Sequence, residues 1–154
     1  WWTCRTNLQS FEEMKLSEHF TLEEMTRSAT ANANKIDNTP TQPIIDWLQY
    51  LCIHVLEPLR THMQRPISIS SGYRCPRLNT LVGGVSKSQH MYGQAADIRI
   101  LSKEDGDKIF AYLKCNKFVS KALYERSKSS GARWIHVSVA PIPARYFNSD
   151  YPAK

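Results

Sequence analysis

The stretch SKSQHMYGQAADIRI, Ser86 to Ile100, decides how the chain is read. Small and polar residues fill its first half, and from Ala95 it runs into a strand ending Ile98-Arg99-Ile100. His90 and Asp97 bracket Gly93, Ala95 and Ala96. Two readings are open: a plain loop entering a strand, or a segment that delivers two metal ligands to one point. A third ligand elsewhere separates them. In the second case the small residues let the strand pass close to metal and substrate.

Downstream, RWIHVSV (Arg133 to Val139) has period two. Ile135, Val137 and Val139 share one face, and Trp134, His136 and Ser138 the other. The aliphatic face belongs to a core, while an imidazole beside an indole suits a cleft. In ALYE, Leu123 and Glu125 share a face. Pairing of these two strands through the polar RSKSSGA connection brings Glu125 toward His136, since neighbouring strands lie ~4.8 Å apart. His90, Asp97 and His136 then form a set of two imidazoles and a carboxylate, with a fourth position left for water, as in catalytic zinc sites. Zinc lowers the pKa of such a water to ~7, and Glu125 is the candidate base. Arg74 is a candidate for stabilising an oxyanion or binding a substrate carboxylate. The competing reading of His136 is a packed or surface histidine. For Glu104, Asp105 and Asp107 the simplest role is charge compensation at a helix N-terminus.

Upstream, Thr21 and Glu24 make a capping box, with Phe20 stapled to Met25. ATANANKIDNTP reads as a loop. From Pro43 to about His62, the positions Ile44, Trp47, Leu48, Leu51, Cys52, Val55, Leu56 and Leu59 step by three and four, which predicts a long amphipathic helix. Pro58 predicts a kink or break near Glu57. His54 and His62 fall off the apolar series and read as surface residues. Ile67 and Ile69 alternate with serines in a short strand, and a short helix runs from Pro76 to the Gly83-Gly84 stop. Ser102 caps a further helix with Ile109, Phe110 and Leu113 inward. The proline-bearing tail from Ala140 reads as irregular. The fold class is α+β, a small mainly antiparallel sheet packed against helices, with 1–154 as a single domain.

Of the 154 residues 42% are hydrophobic and 22% charged, ordinary values for a globular chain. No apolar run approaches the ~18 residues of a membrane span, and WWTCRTNLQSF shows no signal-peptide pattern. The net charge of +6 reads as a solvated face or as attraction to a polyanion; without consecutive basic residues or basic-aromatic interleaving, nucleic acid is a weaker polyanion candidate than an anionic cell wall. Cys4, Cys52, Cys75 and Cys115 contain no CxxC pair, which excludes a zinc ribbon. Cys52 reads as a buried thiol.

The segment SQHMYGQAAD, Ser88 to Asp97, resembles the S-x-H-x-x-G-x-A-x-D signature of the M15 zinc peptidases. These are D-Ala-D-Ala carboxypeptidases and related peptidoglycan peptidases, phage endolysins among them. LSEHFTLEEMTRS, IDNTP, VLEPLR, ISISSGYRCPRLNTLVGG and WIHVSV resemble the small single-domain carboxypeptidase branch in the same order, from about Leu16 to Val139. The resemblance implies the fold shared by D-Ala-D-Ala peptidases and hedgehog signalling domains. It implies Zn2+ held by His90, Asp97 and His136, Glu125 as base, Arg74 at the oxyanion, and Ser88 and Tyr73 lining the site; Trp134, on the His136 face of its strand, is a further candidate substrate contact. Family members often carry Asp-Gln-Leu-Ile before the Tyr-Glu pair, whereas Val119 to Leu123 precede it here, so the register of Glu125 awaits the structure. The implied substrate is the stem peptide of peptidoglycan, cut at the terminal D-Ala-D-Ala bond or at an internal bond. The expected setting is the cell wall or periplasm, or delivery by a phage, with the chain acting as a monomer. A non-catalytic zinc-binding module on the same fold is the rival from another class.

Overall fold

In the computed structural model, which describes residues 14–149, the chain enters through two short helices, α1 (Leu22–Thr26) and α2 (Ala29–Ala33). The Thr21 hydroxyl accepts the Glu24 N–H, and Phe20 and Met25 are both buried, as box and staple require. α2 replaces part of the expected loop. The Ser28 hydroxyl caps it by accepting the Ala31 N–H at 3.1 Å, and Ala31 is buried.

Next, α3 (Gln42–Leu51), a π-helical turn (Cys52–Leu56) and α4 (Glu57–Met63) follow without interruption. Ile45 joins Leu48, Leu51, Cys52, Val55, Leu56 and Leu59 in the core, while Ile44 and Trp47 pack half-exposed at its edge. The helix does not break near Glu57. Pro58 has no N–H to offer the His54 carbonyl, and that carbonyl accepts from Asn116 Nδ2 at 3.0 Å instead. The wider turn carries the Glu57 N–H to the Cys52 carbonyl. His54 stacks on Phe118, and the exposed His62 on Tyr112.

The remaining elements are β1 (Ile69–Ser71), α5 (Pro76–Leu81), a 3₁₀ turn (Gln89–Tyr92), β2 (Ala95–Arg99), α6 (Lys103–Cys115), β3 (Lys121–Arg126), β4 (Arg133–Ser138) and β5 (Tyr146–Asn148). The sheet order is β1-β2-β4-β3-β5. Its pairings are antiparallel except β3 with β5. The fold is therefore α+β with a mainly antiparallel sheet. β5 lies in the tail expected to be irregular. The Tyr146 N–H donates to the Ser120 carbonyl, and the Arg145 guanidinium donates to the carbonyls of Lys114, Asn116 and Val119. Long-range bonds of this kind leave no periodic trace in a sequence.

One face of the sheet presents Ala96, Ile98, Ala122, Tyr124, Ile135 and Val137 to the core. The alternation of strand side chains sends Asp97, Leu123, Glu125, Trp134 and His136 to the other. Of the small residues before Asp97, Ala95 shares its face, whereas Ala96 and Gly93 serve packing. Ala96 belongs to the core. Gly93 has φ +72, and a Cβ there would meet the Ile44 carbonyl of α3. No helix among the described residues is long and apolar enough to cross a membrane.

Candidate metal centre

Strand register builds the centre. On β2 and β4, Asp97 faces His136 directly. His90 arrives from the 3₁₀ turn just before β2. Its ring centroid lies 5.1 Å from that of His136, at 62°. His90 Nε2 and His136 Nδ1 each lie 3.3 Å from Asp97 Oδ1. That is long for charge-assisted hydrogen bonds and suits three donors converging on a shared ion. One donor atom from each residue lies within 4.8 Å of the others, the only such group of three found among the described residues.

The tautomer of His90 is set by a second contact. Its Nδ1 lies 2.7 Å from the Gly72 carbonyl oxygen, an acceptor, so Nδ1 carries the proton and Nε2 keeps its lone pair for the centre. Only 2% of the His90 side chain is exposed, against 15% for Asp97, so the centre opens to solvent past Asp97. Burial opposes ionisation of Asp97, but contact with the His90 and His136 rings in their protonated form outweighs it and holds the carboxyl well below its usual range; a cation held by the three residues takes the place of those protons. Two imidazoles, an ionised carboxylate and a free lone pair on the buried ring form a donor set that fits Zn2+.

Glu125 pairs with Trp134 across β3 and β4, two positions along from the Leu123–His136 pair and so on the same face. The unfamiliar residues before it have therefore not shifted it off the face that carries His136. Burial, and then the charge of Asp97, push the Glu125 carboxyl up; His136, the Trp134 indole and Arg74 pull it back. Trp134 is half-buried, and its Nε1–H meets no acceptor in good hydrogen-bond geometry. Arg74 is half-buried with its Nε unpartnered, and burial depresses its pKa against the pull of Asp97 and Glu125.

A cleft of about 600 Å³ reaches this group, lined by Tyr73, Arg74 and Asp97 at one end and continuing along β1 to α1 and α2. Tyr73 is mostly buried but reaches the cleft wall. Ser88 is placed otherwise than expected. It is 7% exposed, and its hydroxyl accepts the His90 N–H at 3.3 Å, so it supports the turn that carries His90. Cys75 is half-buried with a free thiol, and Cys52 is fully buried, which pushes its thiol far above the ordinary range.

Sequence reasoning gave no role to Asn38, although it stands in the IDNTP segment. Its Nδ2 donates to the carbonyls of Thr26 and Tyr73, and its Oδ1 accepts the Cys75 N–H. Asn38 thus grips the backbone on both sides of Arg74. The Arg74 N–H in turn donates to the His90 carbonyl. Nothing local in sequence separates this asparagine from an ordinary turn residue.

Fold and site together define an α+β domain built around a three-donor centre of the zinc-hydrolase kind. The model of the family described as Peptidase M15 matches residues 18–138, and the chain belongs to that family of zinc peptidases. A stretch of 44 residues is 46% identical to the zinc D-Ala-D-Ala carboxypeptidase of Streptomyces albus G. It covers 28% of this chain and 17% of that relative.

Proposed function

We propose that this chain hydrolyses peptide bonds in the stem peptides of bacterial peptidoglycan, and that its target is the terminal D-Ala-D-Ala bond. The observation that carries this reading is the convergence of His90 Nε2, Asp97 Oδ1 and His136 Nδ1 on one point, with Glu125 and Arg74 beside them. The name of the Streptomyces relative supplies the bond. His90, Asp97 and His136 are the proposed ligands. Zinc held there supplies Lewis acidity toward a water and a scissile carbonyl.

Glu125 accepts the proton of the attacking water and returns it to the leaving amine. Burial and then the charge of Asp97 raise its pKa above the ordinary carboxylate value, the direction that favours giving the proton back to the amine. Arg74, with an unpartnered buried N–H, donates to the developing oxyanion or to the substrate carboxylate. Tyr73 and Trp134 flank the peptide, and the chain works at the wall itself, where its net positive charge favours encounter.

A second reading is an endopeptidase of the lysin type. The length of the cleft favours it, because the cleft runs past Asp97 to α2 and has room for a longer peptide. Mass spectrometry of a pentapeptide stem incubated with zinc-loaded protein, with and without chelator, separates the two. Chelator-sensitive loss of one alanine supports the carboxypeptidase, and a cut inside the stem supports the endopeptidase. An uncut stem with zinc bound would favour a non-catalytic zinc module.

A further inference from the structure

Beyond the metal centre, the same cleft carries Arg27 at the C-terminal end of α1 and Arg99 at the end of β2. Both are exposed. Other arginines are committed: Arg65 makes a two-pronged pair with Asp105, and Arg145 donates to three backbone carbonyls. Arg27 and Arg99 have no ion pair or side-chain hydrogen bond within the described residues. Glu24 feels the charge of Arg27, but the two form no ion-pair contact. With Arg74, they put three guanidinium groups from three separate segments on the walls of one cleft. Against them stand Glu24 and Asp97, and Asp97 is committed to the metal centre. Ser28, Thr30 and Ser68 line the same cleft. Guanidinium forks match carboxylates, and two uncommitted ones on the walls of one cleft are a place to hold one.

We propose that Arg27 and Arg99 form a carboxylate subsite that selects peptides bearing a free carboxylate away from the scissile bond. This rests on the peptidase reading but is tested apart from it. In a stem peptide the carboxylate has two sources, the α-carboxyl of a γ-linked D-glutamate or the distal carboxyl of a diaminopimelate.

The test is equilibrium binding to the zinc-loaded Glu125→Gln variant, so that turnover does not enter. Four pentapeptides are compared, with D-glutamate or its α-amide at the second position and lysine or diaminopimelate at the third. The form carrying the carboxylate at one position binds roughly five- to tenfold tighter than its counterpart without it, the scale of a partly exposed charge-assisted pair, and less so in high salt. The position showing the preference identifies the source. Arg27→Gln and Arg99→Gln each reduce that ratio toward one, whereas Arg99→Lys keeps part of it. Equal binding of all four peptides, or a ratio unchanged in both glutamine variants, overturns the subsite. The peptidase reading stands or falls separately, on cleavage by the wild-type chain.

Discussion

His90 Nδ1 lies 2.7 Å from the Gly72 carbonyl oxygen, and the next residue, Tyr73, donates its N–H to the Met25 carbonyl at 2.8 Å. The ring that faces Asp97 is thus oriented by a backbone segment pressed against α1. Gly72 has no room to spare, because a Cβ there would run into the Met25 carbonyl. Gly72→Ala should therefore shift this segment and loosen His90. Weaker zinc affinity, by about 10–100-fold as for lost supports of metal ligands, and a lower Tm are expected. Competition with a chromophoric chelator and a melting curve check both.

Asn38→Ala removes three hydrogen bonds to backbone, two of them on either side of Arg74 and one to Thr26. At about 1 kcal/mol each, the loss is on the order of 2–3 kcal/mol of stability, measurable by urea unfolding. Because Asn38 has no place in the ligand set, zinc should still bind at full stoichiometry. Turnover should fall through misplacement of Arg74, and Asn38→Asp should recover part of it, since its carboxylate can still accept the Cys75 N–H.

Glu125→Gln keeps shape and neighbours but cannot accept a proton. Zinc content should match wild type, while kcat falls about 10²–10⁴-fold, the usual contribution of a general base. A variant with unchanged turnover would move that role to another carboxylate.

Two carboxylates away from the centre contribute to the acid stability. Burial opposes ionisation of Glu57, but the contacts from His19 and Ser17 prevail; likewise burial opposes Asp105, and Arg65 with the Leu101 N–H prevails. Both pKa values are depressed on folding. Their stabilisation is complete above the unfolded carboxylate range, near pH 4, and is lost as pH falls through the folded values. Tm should thus fall steeply below about pH 4, and Asp105→Asn should flatten part of that dependence. A mutant profile parallel to wild type would remove Asp105 from the account.

Much of this was legible from residue order. The period-two strands of Ala95–Arg99 and Arg133–Ser138 put Asp97 and His136 on one face, and antiparallel register then sets them opposite each other. The capping box at Thr21 and the helix started by Ser102 follow from local chemistry. What escaped depends on distant partners. The His54 carbonyl left free by Pro58 is met by Asn116, 62 residues away in sequence. The edge strand β5 leans on Ser120, and the Asn38 clasp reaches 35 residues to Tyr73. Ser88 was placed at the site by the family resemblance and Gly93 by its position between His90 and Asp97; their contacts are with the His90 backbone and α3.

The central claim is that His90, Asp97 and His136 hold one zinc. The most direct measurement is the zinc content per chain of wild type and of His136→Ala, after identical loading and dialysis, with circular dichroism to verify folding. The account predicts one zinc per wild-type chain, and loss of zinc and peptidase activity together in a folded His136→Ala. A folded His136→Ala that retains a full equivalent of zinc would contradict it.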